Sequence, residues 1–151
     1  MGNEKTGFTL IETVIALGIL AFLASLTLSV GLDTYRGDAF RHEEALIVTL
    51  LYKARADALS NTGEASHGVA LHPTDYPRGY VVFEGATYED RIRARDTIVD
   101  EGFSMSMGAS SYEVVFAPLS GATHPRELTL IDAARNHTAV IAINHEGGID
   151  W

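Results

Sequence analysis

The chain has 151 residues, 46% of them hydrophobic and 21% charged, which suits one folded domain with an appendage and excludes a disordered chain. Its 11 Lys and Arg against 20 Asp and Glu give a formal charge of −9. That acidity argues against nucleic acid as a partner, because it repels phosphate, and the lack of cysteine excludes disulfides, thiolate nucleophiles and cysteine zinc sites.

The first predicted element is a helix. Residues 13–32, TVIALGILAFLASLTLSVGL, carry no charge. Roughly 20 such residues at ~1.5 Å each cover the ~30 Å core of a bilayer, which predicts a single membrane span. The run outlasts the ~7–15-residue apolar core of a secretory signal peptide. It is also apolar on every face, unlike a helix buried in so small a protein. Lys5 before it and Arg36 and Arg41 after it leave the orientation open. Glu12 stands at the mouth of the run, where a carboxylate is costly and calls for a partner.

The helical period continues through residues 33–61. Phe40, Ile47, Leu50, Leu51, Ala54 and Ala58 recur at three- and four-residue steps and form one apolar stripe. Lys53 and Asp57 lie off it at an i,i+4 spacing suited to an ion pair. Asn61-Thr62-Gly63 is a helix stop and turn.

Beyond residue 63 the period becomes strand-like. GVALH (68–72), GYVVFEG (79–85), GFSMSM (102–107), YEVVFAP (112–118), ELTLI (127–131) and TAVIAIN (138–144) are short apolar runs between turns, the last two flanking a predicted hairpin turn at 134–137. Antiparallel strands need an apolar partner on one face, and the helical stripe supplies it. The predicted fold class is therefore α+β, with a long N-terminal helix whose second half lies under an antiparallel β-sheet.

No catalytic constellation accompanies this fold. Neither phosphate-loop spacing, GxSxG nor HExxH occurs. His42, His67, His72, His124, His137 and His145 are scattered and read as solvated loop residues, so no metal site is expected among them. Glu89, Asp90, Asp96, Asp100 and Glu101 lack calcium-loop spacing. Arg91, Arg93 and Arg95 read as a solvated loop or strand edge among acidic residues. No cofactor and no enzymatic activity are expected.

The opening MGNEKTG followed by FTLIETVIALGILAFLASLTL resembles the leader and first helix of type IV pilins and type II secretion pseudopilins. The resemblance implies a type IV pilin-like fold. It divides the chain into a leader at 1–7, a transmembrane and filament-core segment at 8–32, an amphipathic helix at 33–61 and a periplasmic β-rich head at 62–151. It further implies cleavage by prepilin peptidase between Gly7 and Phe8 and N-methylation of Phe8. Glu12 would be the docking residue, meeting the N-terminal amine of a neighbouring subunit. Past the anchor, Ala54, Arg55 and Ala58, then Phe116, Pro118 and Gly121, then Gly148 resemble the pattern of H-type minor pseudopilins and FimT-like proteins. The function implied is that of a minor subunit in a type II secretion or type IV pilus-like filament, priming assembly or capping the tip. Its partners would be other pilins, the peptidase and the inner-membrane assembly platform. It would sit in the bacterial inner membrane with its head in the periplasm. The alternative is a filament-tip binding module, either an adhesin or a DNA receptor in competence. The basic C-terminal segment of some DNA-binding FimT-like proteins is replaced here by HEGGIDW.

Overall fold

The computed structural model describes residues 9–102, 105–108, 112–133 and 136–151, with the side chains of 26–37 outside that description. Helix α1 runs Leu10–Leu59. Among the described residues it is followed by the strands β1 His67–Leu71, β2 Gly79–Glu84, β3 Thr97–Asp100, β4 Ser106–Met107, β5 Tyr112–Phe116, β6 Arg126–Asp132, β7 His137–Ile143 and β8 Ile149–Asp150. The chain divides into two compact units, Met1–Asp38 and Ala39–Trp151.

The second unit carries the core. Phe40, Ile47, Leu50, Leu51, Ala54 and Ala58, the residues of the sequence stripe, are all buried. They pack with residues from two antiparallel four-stranded sheets, ordered β3-β2-β1-β5 and β4-β6-β7-β8. The fold is α+β and type IV pilin-like, a helix packed against antiparallel sheets. Burial of the stripe removes apolar surface worth ~1.5–3 kcal/mol for each large side chain, which is what holds this part of the helix against the sheets.

In the first sheet β1 and β2 are buried along their whole length, because both faces are covered. Val69, Leu71, Tyr80 and Val82 face the main core. Ala70, Val81 and Phe83 form a second, smaller cluster with Tyr76, Tyr88 and Val115. The second sheet alternates instead. Leu128, Leu130, Ile141 and Ile143 are buried, while Glu127, Val140 and Thr138 are exposed. The predicted hairpin is β6–β7, paired from Arg126↔Ile143 to Asp132↔His137.

Helix α1 stops where Asn61 turns left-handed at φ 52°, within the predicted stop. Lys53 and Asp57 pair at 2.8 Å. Strand β3 is not among the predicted runs, since TIVD is only four residues long and flanked by charge. Strand β8 likewise has two residues, too few for a periodic signal.

Candidate functional site

The residues assigned by resemblance lie at the N-terminus. Gly7 and Phe8 fall outside the described residues. Thr9 precedes α1, and its Oγ1 accepts a hydrogen bond of 3.3 Å from the Glu12 backbone N–H. Thr-x-x-Glu at this place is the capping-box pattern. Glu12 is exposed and is the acidic residue of the first turn, where the positive end of the helix dipole favours a carboxylate. Local helix chemistry therefore tolerates a carboxylate here.

It does not account for the surface around Glu12. Every large apolar side chain from Leu10 to Leu23 is more than half exposed. A contiguous surface of this kind marks a site of contact with membrane or protein. Among the described residues no helix is long and apolar enough to cross a membrane. The uncharged run itself continues to residue 32, beyond the described side chains.

A second assembly lies at the C-terminal end of α1. Arg55 Nη2 donates to the Glu146 carbonyl at 3.2 Å, and the Leu119 N–H donates to the Ala58 carbonyl at 2.9 Å. Gly147, at φ 75°, lies so close to Gly121 that an added Cβ would stand 2.1 Å from the Gly121 carbonyl oxygen and 2.9 Å from Arg55 Nε. Gly121, at φ 63°, in turn lies against Leu59 and Arg55. The helix end thus holds the 117–122 turn and the 144–148 turn together. The sequence pattern named Arg55, Gly121 and Gly148, and the glycine that meets Gly121 is Gly147. Gly148 instead closes its own turn, donating to Asn144 Oδ1 at 2.7 Å.

A third assembly covers the outer face of the first sheet. Arg91, far from a solvated edge, has a side chain only 5% exposed. It donates from Nε to Asp96 at 2.8 Å, from Nη2 to Asp75 at 2.9 Å and from Nη1 to the Tyr88 carbonyl at 2.6 Å. Its guanidinium also stacks 3.6 Å from the centre of the Tyr88 ring. Arg95 pairs with Glu84. Beside Arg91 opens a cleft of about 540 Å³ lined by Ala70, Asp75, Tyr88, Tyr112 and Glu113. Burial, then the hydrogen bond to Asp75, pushes the Tyr88 phenol up to about 12. The Tyr88 hydroxyl, with Arg91 behind it, holds the Asp75 carboxyl below its usual range. The polar groups of this cleft serve one another, which is a structural role.

Buried polar residues escaped the sequence reading. Glu43, only 2% exposed, accepts from the Tyr80 hydroxyl at 2.8 Å and from the Gly102 N–H at 3.1 Å. Its spacing between Phe40 and Ile47 on the stripe was the available signal. His67 is buried in β1 with Nε2 2.8 Å from the Thr62 carbonyl, and His72 stacks on Tyr80, so neither is a solvated loop residue. Among the described residues no group of three or more His, Cys, Asp or Glu is placed to hold a metal ion.

Residues 3–28 match the prokaryotic N-terminal methylation motif, the type IV pilin-like signal. The match spans Gly7, Phe8 and Glu12 together with the exposed apolar turns of α1. It indicates a type IV pilin- or pseudopilin-like precursor, which implies processing by prepilin peptidase and assembly with other pilins. The motif suggests a structural subunit rather than an enzyme, and it suggests membrane anchoring with incorporation into a filament. No curated protein and no solved structure gives a significant match to the chain.

Proposed function

We propose that the protein is a minor pilin or pseudopilin of a type II secretion or type IV pilus-like filament, of the H-type or FimT-like kind, acting in priming or at the tip. The observation that carries this reading is the match of residues 3–28 to the methylation motif. On this reading the leader at 1–7 is removed between Gly7 and Phe8, and the new amine of Phe8 is methylated. Residues 8–32 anchor the chain in the inner membrane and enter the filament core. Residues 33–61 continue the helix, and residues 62–151 form the periplasmic head. Neighbouring pilins and the assembly platform are the partners.

The mechanism follows from charge in a poor solvent. After cleavage Phe8 carries a positive amine at the membrane surface, and Glu12 lies about one helical turn away. A carboxylate within the membrane costs ~2.5–3.5 kcal/mol at mid-span and less near the interface. A neighbour's amine removes that cost only when two subunits are in register, so Glu12 selects the docked arrangement. The coincidence of Arg55 and Gly121 with the H-type pattern, and their meeting in the head, supports the finer assignment.

Two measurements test it. The mass and N-terminal sequence of the protein recovered from cells with prepilin peptidase should give a chain beginning at N-methylated Phe8. A chain beginning near Leu32, or one left uncut, overturns the proposal. Glu12→Ala should leave that processing intact and abolish recovery in filaments, and normal recovery would remove the docking role.

A further inference from the structure

The β6–β7 hairpin ends in Asn136-His137-Thr138, the Asn-x-Thr sequence that accepts asparagine-linked sugars. Of the four asparagines in the chain, only Asn136 has Ser or Thr two places on. All three residues of the sequence are exposed. Asn136 is left-handed at φ 53°, a backbone that Asn tolerates better than most residues. His137 has a structural task, its ring meeting the buried Phe40 edge-on with centroids 5.1 Å apart. Among the described residues, neither the Asn136 amide nor the Thr138 hydroxyl makes a hydrogen bond. The other described asparagines differ: Asn61 ends α1, and Asn144 accepts from the Gly148 N–H at 2.7 Å. In Asn-x-Thr the first and third positions are the ones read, and the second takes any residue but proline. The hairpin thus uses the indifferent position for packing and leaves the two that are read in solvent.

We propose that Asn136 is the attachment site of a sugar, transferred by a separate enzyme from a phosphate-activated donor. The turn by itself asks only for a left-handed residue at 136, which glycine meets as well. The strand asks only for a β-former at 138. Neither demands an amide and a hydroxyl two places apart and both free. In the transfer, Asn136 Nδ2 bonds to the anomeric carbon of the donor sugar. The bond from that carbon to the phosphate oxygen breaks, and the phosphate leaves with the electron pair. One Nδ2 proton passes to a base of the transferase, and nothing is oxidised or reduced. The Thr138 hydroxyl is the group by which the transferase recognises the sequence. Two donors share this chemistry, a nucleotide-linked single sugar inside the cell and a lipid-linked oligosaccharide beyond the membrane. Only the second rests on the filament-subunit reading, which carries the head across. A sugar here adds hydrophilic bulk at the tip where the β6–β7 ladder ends.

Mass spectrometry of the full chain recovered from its host, intact and as fragments, tests the assignment. The expected result is an added sugar mass located on the peptide that holds Asn136. Its size distinguishes the donors, one sugar for the nucleotide-linked class and a defined oligosaccharide for the lipid-linked class. Asn136→Gly, which keeps the left-handed turn, should remove the added mass while the chain stays folded by circular dichroism. Thr138→Ala should remove it too, and Thr138→Ser, which restores the hydroxyl, should retain it. A chain processed at Phe8 and bearing no sugar, or a sugar that survives Asn136→Gly or Thr138→Ala, overturns the attachment site and leaves the filament reading standing. A sugar on Asn136 of a chain left uncut at Phe8 overturns the filament reading and leaves the attachment site standing.

Discussion

Among the described glycines, Gly147 has the closest backbone neighbour to an added Cβ. Its φ of 75° and the 2.1 Å that would separate an added Cβ from the Gly121 carbonyl leave no room for a side chain. Gly147→Ala should therefore destabilise the protein by ~2 kcal/mol or more, with the left-handed backbone alone costing ~1–2. Denaturant unfolding measures it, and a loss under about 0.5 kcal/mol, the scale of an ordinary surface substitution, would mean that the turn relaxes. At the same scale, Asp75 is held low by the Tyr88 hydroxyl and Arg91, and Glu84 by Arg95. Depressed carboxylates add stability above their unfolded values of ~3.9 and ~4.3, and that contribution is lost as the pH falls through the lower folded values. The thermal midpoint should drop on acidification below about pH 4, and Asp75→Asn and Glu84→Gln should each flatten that drop. Both effects should be small, since the Asp75 carboxylate and the Arg95 guanidinium are largely in water.

Helix α1 has two faces in its second half, and its core face is where a single change acts most strongly. Leu51 has no solvent exposure and sits in the cluster shared by the helix and both sheets. Leu51→Ala should cost ~2–5 kcal/mol, the range for a buried leucine whose cavity cannot collapse. An unfolding free energy within 1 kcal/mol of the parent, about the cost of a tolerated core swap, would contradict the packing described. This element was legible in sequence because its period is long and regular. Phe40 through Ala58 repeat the stripe over five turns, and Asn61 can take the left-handed turn that ends it. The strands were less legible in proportion to their length. Strands β1, β2, β5, β6 and β7 announced themselves through β-branched runs, whereas β3 and β8 exist only because a neighbouring strand supplies their hydrogen bonds. Glu43 escapes the sequence pattern and Arg91 reads there as solvated for the same reason. A charged residue reads as solvated until the tertiary fold brings it Tyr80, Asp75 or Asp96.

At the scale of the whole molecule, the pilin-like methylation motif was legible in the N-terminal residues because such a signal is local. The proposed cleavage point, the proposed methylated residue and the proposed docking carboxylate lie within a few positions and owe nothing to the head. The clasp of the head was only half legible, since a pattern can name Arg55 and Gly121 without saying that they touch. That clasp also sets an order of events. Arg55 is held by Glu146, and Tyr52 by Ile149, contacts that join residues 91 and 97 positions apart. A chain delivered N-terminus first presents the helix long before the turns that close over it. Until residues 144–150 arrive, Tyr52 and Arg55 lack these partners, and pairings this distant form slowly. The head is thus completed only by the last part of its own chain. On the proposed filament-subunit reading, a chain halted during export would carry its N-terminal motif without a finished head, a state open to proteolysis and chaperones.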